Sequence, residues 1–208
     1  MTFHGNEQGK KVFLKVFKDA DDAAQDASEA DPFPAYTDND TEHGSLAPFC
    51  PTSATRVIQS LTLAHVTQHD AVLDIGSGDG RFVTAAIAAF GAQRALGIEV
   101  EEDLIELSHT LAEKVLNDPK ERMKAKFIKG DFLSQLHLVR DTAWSVIVVF
   151  LLPDHVEKFA DLLLHHYNRG ARIVALVFNL DEIPELKLIH RDEQAGIYVY
   201  SKNAIELK

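Results

Sequence analysis

The chain has 208 residues, of which 46% are hydrophobic and 25% are charged, a size and balance typical of one soluble globular domain with a tail. Its formal net charge of -11 argues against a nucleic acid as the main substrate and fits a basic protein partner instead. No apolar run reaches the length of a membrane span, and the single cysteine, Cys50, excludes an intrachain disulfide. A reducing compartment is therefore expected, which favours the cytoplasm.

Residues 1–45 differ in composition from the rest and predict an acidic, loosely ordered N-terminal arm, with the folded domain at 46–208. Within the arm, residues 10–18 are basic and apolar, and their helical spacing indicates a piece that docks on the domain or forms an edge strand. Residues 19–31 are rich in aspartate, alanine and glutamate, as in solvated segments. The basic piece lacks the arginines of a mitochondrial transit peptide, so the mitochondrion is kept only as the alternative location.

From Pro48 onward, helical and extended patterns alternate along the chain. Apolar periodicity and end signals predict the helices Pro51–Val66, Arg81–Phe90, Glu102–Leu116 and Asp154–Tyr167. Short apolar runs predict the strands Ala71–Ile75, Arg94–Ile98, Ala125–Lys129, Trp144–Phe150 and Ala171–Phe178, followed by an antiparallel pair at Leu186–His190 and Gly196–Ser201. Strands that alternate with helices predict an α/β fold with a parallel sheet covered on both faces.

The most specific motif is the run VLDIGSGDGRF, Val72 to Phe82, which joins the first strand to a helix. Asp74 ends the strand, and Gly76, Gly78 and Gly80 follow at alternate positions. The spacing matches neither the dinucleotide fingerprint G-x-G-x-x-G nor the P-loop. An acid in front of the glycines suits an amino-acid group of a nucleotide-like cofactor better than a pyrophosphate. A plain structural turn is the alternative interpretation.

Acids also follow the next two strands, at the sheet edge where ligands bind in open parallel sheets. Glu99 ends the second strand, where a carboxylate can accept both hydroxyls of a ribose. Asp131 and Phe132 follow the third strand, where an acid can accept from an adenine amino group while a ring packs on the base. Each acid taken alone could be a helix cap or a solvated loop residue.

With its three motifs DIGSGDG, GIEV and GDF, the chain resembles the class I, seven-β-strand S-adenosylmethionine-dependent methyltransferases. The resemblance implies a Rossmann-like three-layer sandwich with strand order 3-2-1-4-5-7-6 and the last strand antiparallel. It also implies S-adenosyl-L-methionine as cofactor, with Asp74 and the loop Gly76, Ser77, Gly78 and Gly80 beside its methionine part. Glu99 would then bind the ribose, and Asp131 with Phe132 the adenine.

A narrower resemblance is carried by PFCPTSATRVIQSL, Pro48 to Leu61, and by FLLPD, Phe150 to Asp154. Together with the glycine loop, these segments are similar to the small protein-lysine methyltransferases that include an archaeal broad-specificity enzyme and the enzyme that modifies the ATP synthase c-subunit. The resemblance implies that Phe49, Pro51 and Thr52 close over the cofactor. It further implies a protein lysine as the acceptor of the methyl group.

A lysine acceptor needs an apolar slot, because desolvation lowers the pKa of its ammonium toward the reactive neutral amine. Phe150, Leu151 and Pro153 are the candidate wall of this slot, with Leu152 between them and Phe49 opposite. Asp154 is a candidate for orienting the ammonium, or else a cap of the following helix. Core packing is the alternative interpretation of the apolar residues.

Other kinds of acceptor are weighed by what the sequence lacks. Asn/Asp-Pro-Pro-Tyr/Phe, typical of adenine and glutamine methylation, is absent after the fourth strand, and Cys50 is poorly placed as a nucleophile. The adjacent His165 and His166 cannot face one metal ion from a helix, so no metal site is expected. A methyltransferase of a small molecule or RNA, and a catalytically silent cofactor-binding partner protein, remain open alternatives.

Overall fold

The computed structural model describes residues 6–28 and 49–203 of the chain. The strands are β1 (Ala71–Ile75), β2 (Arg94–Glu99), β3 (Ala125–Lys129), β4 (Val146–Val149), β5 (Arg172–Leu176), β6 (Leu188–Asp192) and β7 (Ile197–Tyr200). They form a sheet in the order β3-β2-β1-β4-β5-β7-β6, in which β7 is antiparallel to both β5 and β6. The predicted strand order and antiparallel last strand are confirmed.

The helices are α1 (Glu7–Ser28), α2 (Ala54–Leu63), α3 (Arg81–Ala88), α4 (Glu102–Val115), α5 (Pro119–Arg122), α6 (Leu136–Val139) and α7 (Val156–Tyr167). A short 3-10 turn, Pro153–His155, precedes α7, so the helix expected from Asp154 begins as a tighter turn. Across the described ranges, the helices are too short or too polar to cross a membrane.

The two central strands explain why the sheet is covered on both faces. Every residue of β1 and β4 is buried, as their nearly continuous apolar sequences require. Val72 and Val146 pack into the core beneath α1 to α4, whereas Leu73 and Ile147 pack on the other face beneath α7. The chain therefore builds three layers around β1 and β4, with the helices as the outer two.

The N-terminal helix occupies part of the segment expected to be a loosely ordered arm. Glu7–Ser28 is a helix that packs against α2, α3 and α4, as the docking interpretation of the basic piece required. Phe13 and Phe17, four residues apart, share a helix face and are fully buried, and burial of one such ring stabilises a fold by about 1.5–3 kcal/mol. Residues 29–45, and with them the predicted boundary of the arm, lie outside the described residues.

Candidate functional site

A cavity of about 640 Å³ opens at the carboxyl edge of the sheet, within the size range of ligand pockets. Its walls are the loops after β1 to β5 and the segment 49–52 before α2. The predicted site residues in its lining are Phe49, Pro51, Thr52, Asp74, Gly76, Ser77, Gly78, Glu99, Asp131, Phe132, Phe150 and Leu151. The structure thus brings together side chains that are up to 102 positions apart in the sequence.

The glycine loop makes its tight turn directly beneath the ring of Phe49. Gly76 and Gly78 have φ angles of 74° and 52°, in the left-handed region that favours glycine. The N–H groups of Gly76 and Ser77 both donate to the Ile98 carbonyl at 3.0 Å, which ties the loop to β2. A Cβ on Gly78 would lie 2.4 Å from Cε2 of Phe49, so only glycine lets the ring cover the loop this closely.

Gly80 is placed outside the cavity lining, at the start of α3. Its φ of 75° is left-handed, and a Cβ there would lie 2.4 Å from Cε1 of Phe127 and 2.7 Å from Cβ of Ser108. The third glycine therefore allows α3 to begin close against β3 and α4. This packing role holds the rest of the loop in position.

Asp74 is a buried carboxyl group in the cavity wall, with only 3% of its surface exposed. Among the described residues, no hydrogen bond reaches its carboxylate. Burial, followed by the negative charges of Glu99 and Asp79, raises the pKa of Asp74 well above its ordinary value of 3.8. A positively charged ligand group in the cavity would favour the ionised form and remove this penalty.

The Glu99 carboxylate is held rigidly at the end of β2 by backbone donors. Its Oε2 accepts from the Gly78 N–H at 2.8 Å, and its Oε1 accepts from the N–H groups of Val100 and Glu101 at 2.7 and 3.1 Å. A carboxylate oxygen can accept two hydrogen bonds, so Oε2 retains capacity for a ligand hydroxyl. The glycine loop and this acid are therefore positioned together.

Asp131 and Phe132 occupy the wall that follows β3. The Leu133 N–H donates to Oδ1 of Asp131 at 2.9 Å, so this acid closes a turn in the loop after β3. In the described part of the chain Oδ2 has no hydrogen bond, which leaves it available to a donor in the cavity. Phe132 is 6% exposed and joins the core beneath α7 while its ring borders the cavity.

Arg81 is a functional candidate that the sequence interpretation missed. It is buried in the cavity wall, where its Nε and Nη2 donate to the two carboxylate oxygens of Asp79 at 2.8 and 2.6 Å. Its Nη1 donates to Asp21 of α1 at 2.9 Å and to the Thr52 carbonyl. Burial alone would lower the pKa of Arg81. The carboxylates of Asp79 and Asp21 outweigh this effect, so the pKa is raised overall and the guanidinium stays charged.

The apolar wall comes from the ends of β4 and β5. Phe150, Leu151 and Leu152, three of the residues expected to form the acceptor slot, are half-buried and border the cavity. Pro153 lies instead in a smaller hollow beneath α7, and Asp154 is exposed and makes no cap to α7. Val177 and Phe178, which no sequence motif singled out, complete the wall from β5.

Val177 has a strained backbone at the cavity mouth. Its φ is 65°, which is rare for a β-branched residue, and the Phe178 N–H donates to the Leu176 carbonyl at 2.7 Å across it. A hydrogen bond across one residue with positive φ is the strained form of the γ-turn. The Val177 N–H donates to the carbonyl of Gly196, the residue before β7, at 2.8 Å, so the neighbouring hairpin holds the turn in place. Side chains in such turns are common at functional sites.

The cavity is acidic as well as apolar. Among its described lining residues, the carboxylates are Asp74, Asp79, Glu99, Glu101 and Asp131, and Arg81 carries the positive charge. Arg81 is already paired with Asp79 and Asp21, so the local field is negative. Such a cavity favours ligands that carry positive charge and disfavours phosphate groups.

Sequence comparison matches residues 74–187, more than half of the chain, to the family described as "ANTKMT methyltransferase domain". A protein-lysine N-methyltransferase of Saccharolobus islandicus is 30% identical over 135 residues, which are 64% of this chain and 78% of that protein. A ribosomal protein L11 methyltransferase of Chromobacterium violaceum is 28% identical over 123 residues, 59% of this chain and 37% of that protein.

Structure comparison finds the same fold in solved methyltransferases. An RNA methyltransferase from Salinibacter ruber, solved in complex with S-adenosyl-L-homocysteine, has a TM-score of 0.60 and 27% sequence identity. The match covers 76% of this chain and 97% of that one. Similar proteins thus act on lysine, on a ribosomal protein and on RNA.

Proposed function

Because this chain belongs to the ANTKMT methyltransferase family, we propose that it transfers a methyl group from S-adenosyl-L-methionine to the side-chain amine of a protein lysine. The pairing of carboxylates with an apolar wall in one cavity is the observation that carries this proposal. The 30% identical protein-lysine N-methyltransferase supports the same acceptor.

The residues present fit this cofactor by charge. Bound S-adenosylmethionine supplies a methyl group that is activated by a positively charged sulfonium. The methionine part of the cofactor also carries an ammonium. Asp74 is buried, unpaired among the described residues and easily converted to its ionised form by a nearby cation. A neutral or basic cavity of the same volume would lack this match.

They also fit by hydrogen-bonding capacity. Ser77 lines the cavity at the glycine loop, although its Oγ is buried against Gly97 of β2, where a Cβ would lie 2.5 Å from it. Oε2 of Glu99 and Oδ2 of Asp131 retain acceptor capacity at neighbouring strand ends. We assign Ser77 and Asp74 to the methionine part, Glu99 to the ribose and Asp131 with Phe132 to the adenine.

The apolar wall fits the acceptor. A lysine ammonium has a reference pKa near 10.4, so supplying the neutral amine at pH 7 costs roughly 4–5 kcal/mol at about 1.36 kcal/mol per pKa unit. Phe150, Leu151 and Leu152 on one element, with Val177 on the next, can desolvate the ammonium and lower its pKa. The surrounding carboxylates attract the charged lysine before it enters this wall. Alignment of the amine with the donor then supplies most of the rate enhancement.

The experiment that tests the function uses methyl-labelled S-adenosylmethionine and a whole-cell extract. We expect label in protein that is lost on protease treatment, persists after ribonuclease and maps to lysine by mass spectrometry. Label in RNA or in small molecules would contradict the lysine acceptor and support the alternatives. Calorimetric binding of the cofactor without any label would indicate a silent binding protein.

A matched pair of variants links the label to the cavity. Phe150→Ala removes part of the apolar wall, and we expect about tenfold slower labelling with less change in cofactor affinity. Met123→Ala is the control, because Met123 is 71% exposed and lies outside the cavity lining. Equal rates in the two variants would contradict the assignment of Phe150 to the acceptor slot.

A further inference from the structure

The helix α1 lies outside the matched family region, and its described residues do not line the cavity, yet one of its carboxylates reaches the cavity wall. Asp21 accepts from Nη1 of Arg81 at 2.9 Å, although the two residues are 60 positions apart in the sequence. We propose that docked α1 contributes to cofactor affinity and that Asp21 is a positioning residue that acts through Arg81. This inference rests on the proposed function.

The Arg81 guanidinium joins three segments of the chain. Two of them border the cavity, namely the glycine loop through both oxygens of Asp79 and the segment before α2 through the Thr52 carbonyl. The third is α1 through Asp21. Since Arg81 is only 4% exposed, each partner fixes the position of the other two, and loss of the Asp21 carboxylate removes one of the two negative charges that compensate the buried guanidinium.

The helix is docked along α3 from end to end, so the position of Asp21 is well defined. At one end, the Asn6 N–H donates to the Ala89 carbonyl at 2.9 Å, and a Cβ on Gly9 would lie 2.0 Å from the Ala88 carbonyl oxygen. At the other end, Asp21 meets Arg81 at the first residue of α3. Between them, the buried ring of Phe17 lies 5.4 Å from the guanidinium carbon of Arg81.

Coupling between α1 and the cavity has to be reciprocal. If docked α1 stabilises the arrangement of Asp79 and Thr52 that binds the cofactor, the cofactor must stabilise docked α1 by the same factor. A purely structural helix would raise the stability of the fold without changing cofactor affinity. The two roles therefore differ in a measurable way.

The first test compares Asp21→Asn with Asp22→Asn, since Asp22 is the exposed neighbour on the same helix. We expect Asp21→Asn to weaken S-adenosylmethionine binding about tenfold by calorimetry, with kcat at saturating cofactor retained. Asp22→Asn should stay within about twofold of the unmodified chain, and Asp21→Glu should restore most of the affinity. Equal affinities for both asparagine variants, or a loss of kcat alone, would overturn the proposal.

The second test needs no variant and therefore does not depend on whether Asp21→Asn folds. Hydrogen exchange on the full chain is measured with and without S-adenosylmethionine, and we expect added protection of α1 amides around Phe17 and Asp21. The α7 amides, beneath the opposite face of the sheet, are the internal control and should not change. Cofactor binding without α1 protection would overturn this inference alone, whereas no binding by the unmodified chain would overturn the proposed function with it.

Discussion

Two buried aspartates at opposite ends of β1 show how differently the two edges of the sheet are built. Asp70, just before the strand, accepts from the N–H and Oγ1 of Thr67 at 2.7 and 3.0 Å and from Ser145 Oγ at 2.7 Å, and it is paired with Arg172. The carboxylate of Asp74, four residues later, accepts no hydrogen bond among the described residues, and its pKa is raised. Both are nearly fully buried.

The difference separates groups that stabilise the fold from groups that are kept for a ligand. At the amino edge, the charge of Asp70 is compensated by protein partners, so its burial holds α2, β4 and β5 together. At the carboxyl edge, the charge of Asp74 is left for a partner that the protein does not supply. Uncompensated polar groups of this kind mark sites of function.

Asp70→Asn should have the largest effect, and it should fall on stability. The substitution removes the negative partner of Arg172 and leaves a partly buried positive charge without its ion pair, which lowers the free energy of unfolding by about 3 kcal/mol. Denaturant unfolding measures this change. Cofactor affinity, measured on the folded fraction, should stay close to that of the unmodified chain. A large loss of affinity would contradict the separation of the two edges.

Asp74→Asn should have the next largest effect, and it should fall on binding. Loss of the carboxylate removes the charge partner of the cofactor, so we expect about 30-fold weaker binding, or roughly 2 kcal/mol. The free energy of unfolding should not decrease, because a neutral amide is cheaper to bury than a carboxylate without partners. Calorimetry and denaturant unfolding on the same sample distinguish the outcomes. Unfolding changes as large as those of Asp70→Asn would refute the assignment.

Cofactor binding should release a proton from Asp74. Release of one proton changes the affinity by at most about tenfold per pH unit. Its pKa is raised in the free protein by burial and by Glu99 and Asp79, and a bound cation lowers it again. Affinity should therefore rise with pH until the raised pKa is passed, and then become constant. The free protein should lose stability over the same range, from the ordinary value of 3.8 upward, because the unfolded chain ionises first.

Calorimetry in two buffers of different ionisation enthalpy counts the released protons. We expect up to one proton released per cofactor below the raised pKa of free Asp74, a release that falls to none well above it, and none at any pH for Asp74→Asn. Proton release that persists unchanged in that variant would assign the titration to another carboxylate of the cavity.

The fold was predictable where the sequence pattern that specifies a strand or helix lies within that element. The apolar runs of β1 and β3 give the observed bounds, and the spacing of Asp74, Glu99 and Asp131 places three acids at one edge of the sheet, as the structure shows. Helix ends were less accurate. The helix α2 begins at Ala54 rather than at Pro51, because the side chain of Ser53 caps it by accepting from the Arg56 N–H.

What could not be predicted depends on contacts between distant parts of the chain. The acidic composition of residues 19–31 indicates a solvated arm, yet Asp21 is held by Arg81, 60 positions away. Phe13 and Phe17 have a clear helical spacing, but the surface that buries them is formed by α2, α3 and α4. Val177 looks like an ordinary strand residue, and its unusual φ follows from pairing with the Gly196 carbonyl on the neighbouring hairpin.

Backbone strain sharpens the contrast between the two edges. His65 at the amino edge and Val177 at the carboxyl edge both have positive φ angles, 51° and 65°. The carbonyl of His65 accepts from Arg172 at 2.7 Å, so its conformation serves the stabilising cluster around Asp70. Histidine tolerates this region better than valine, whose branched side chain makes the same conformation costly. Val177 thus carries strain at the edge assigned to function.

Val177→Gly should have the smallest effect and the opposite sign on stability. Relief of about 1–3 kcal/mol of strain exceeds the roughly 0.5–1 kcal/mol entropic cost of glycine, so we expect a gain of about 1 kcal/mol. Val100→Gly is the matched control, because Val100 also follows a strand and lines the cavity but has no positive φ, and it should lose stability. Labelling of the acceptor should slow in Val177→Gly, since the apolar wall loses a side chain. Equal losses of stability in both variants would show that the turn at Val177 carries no strain.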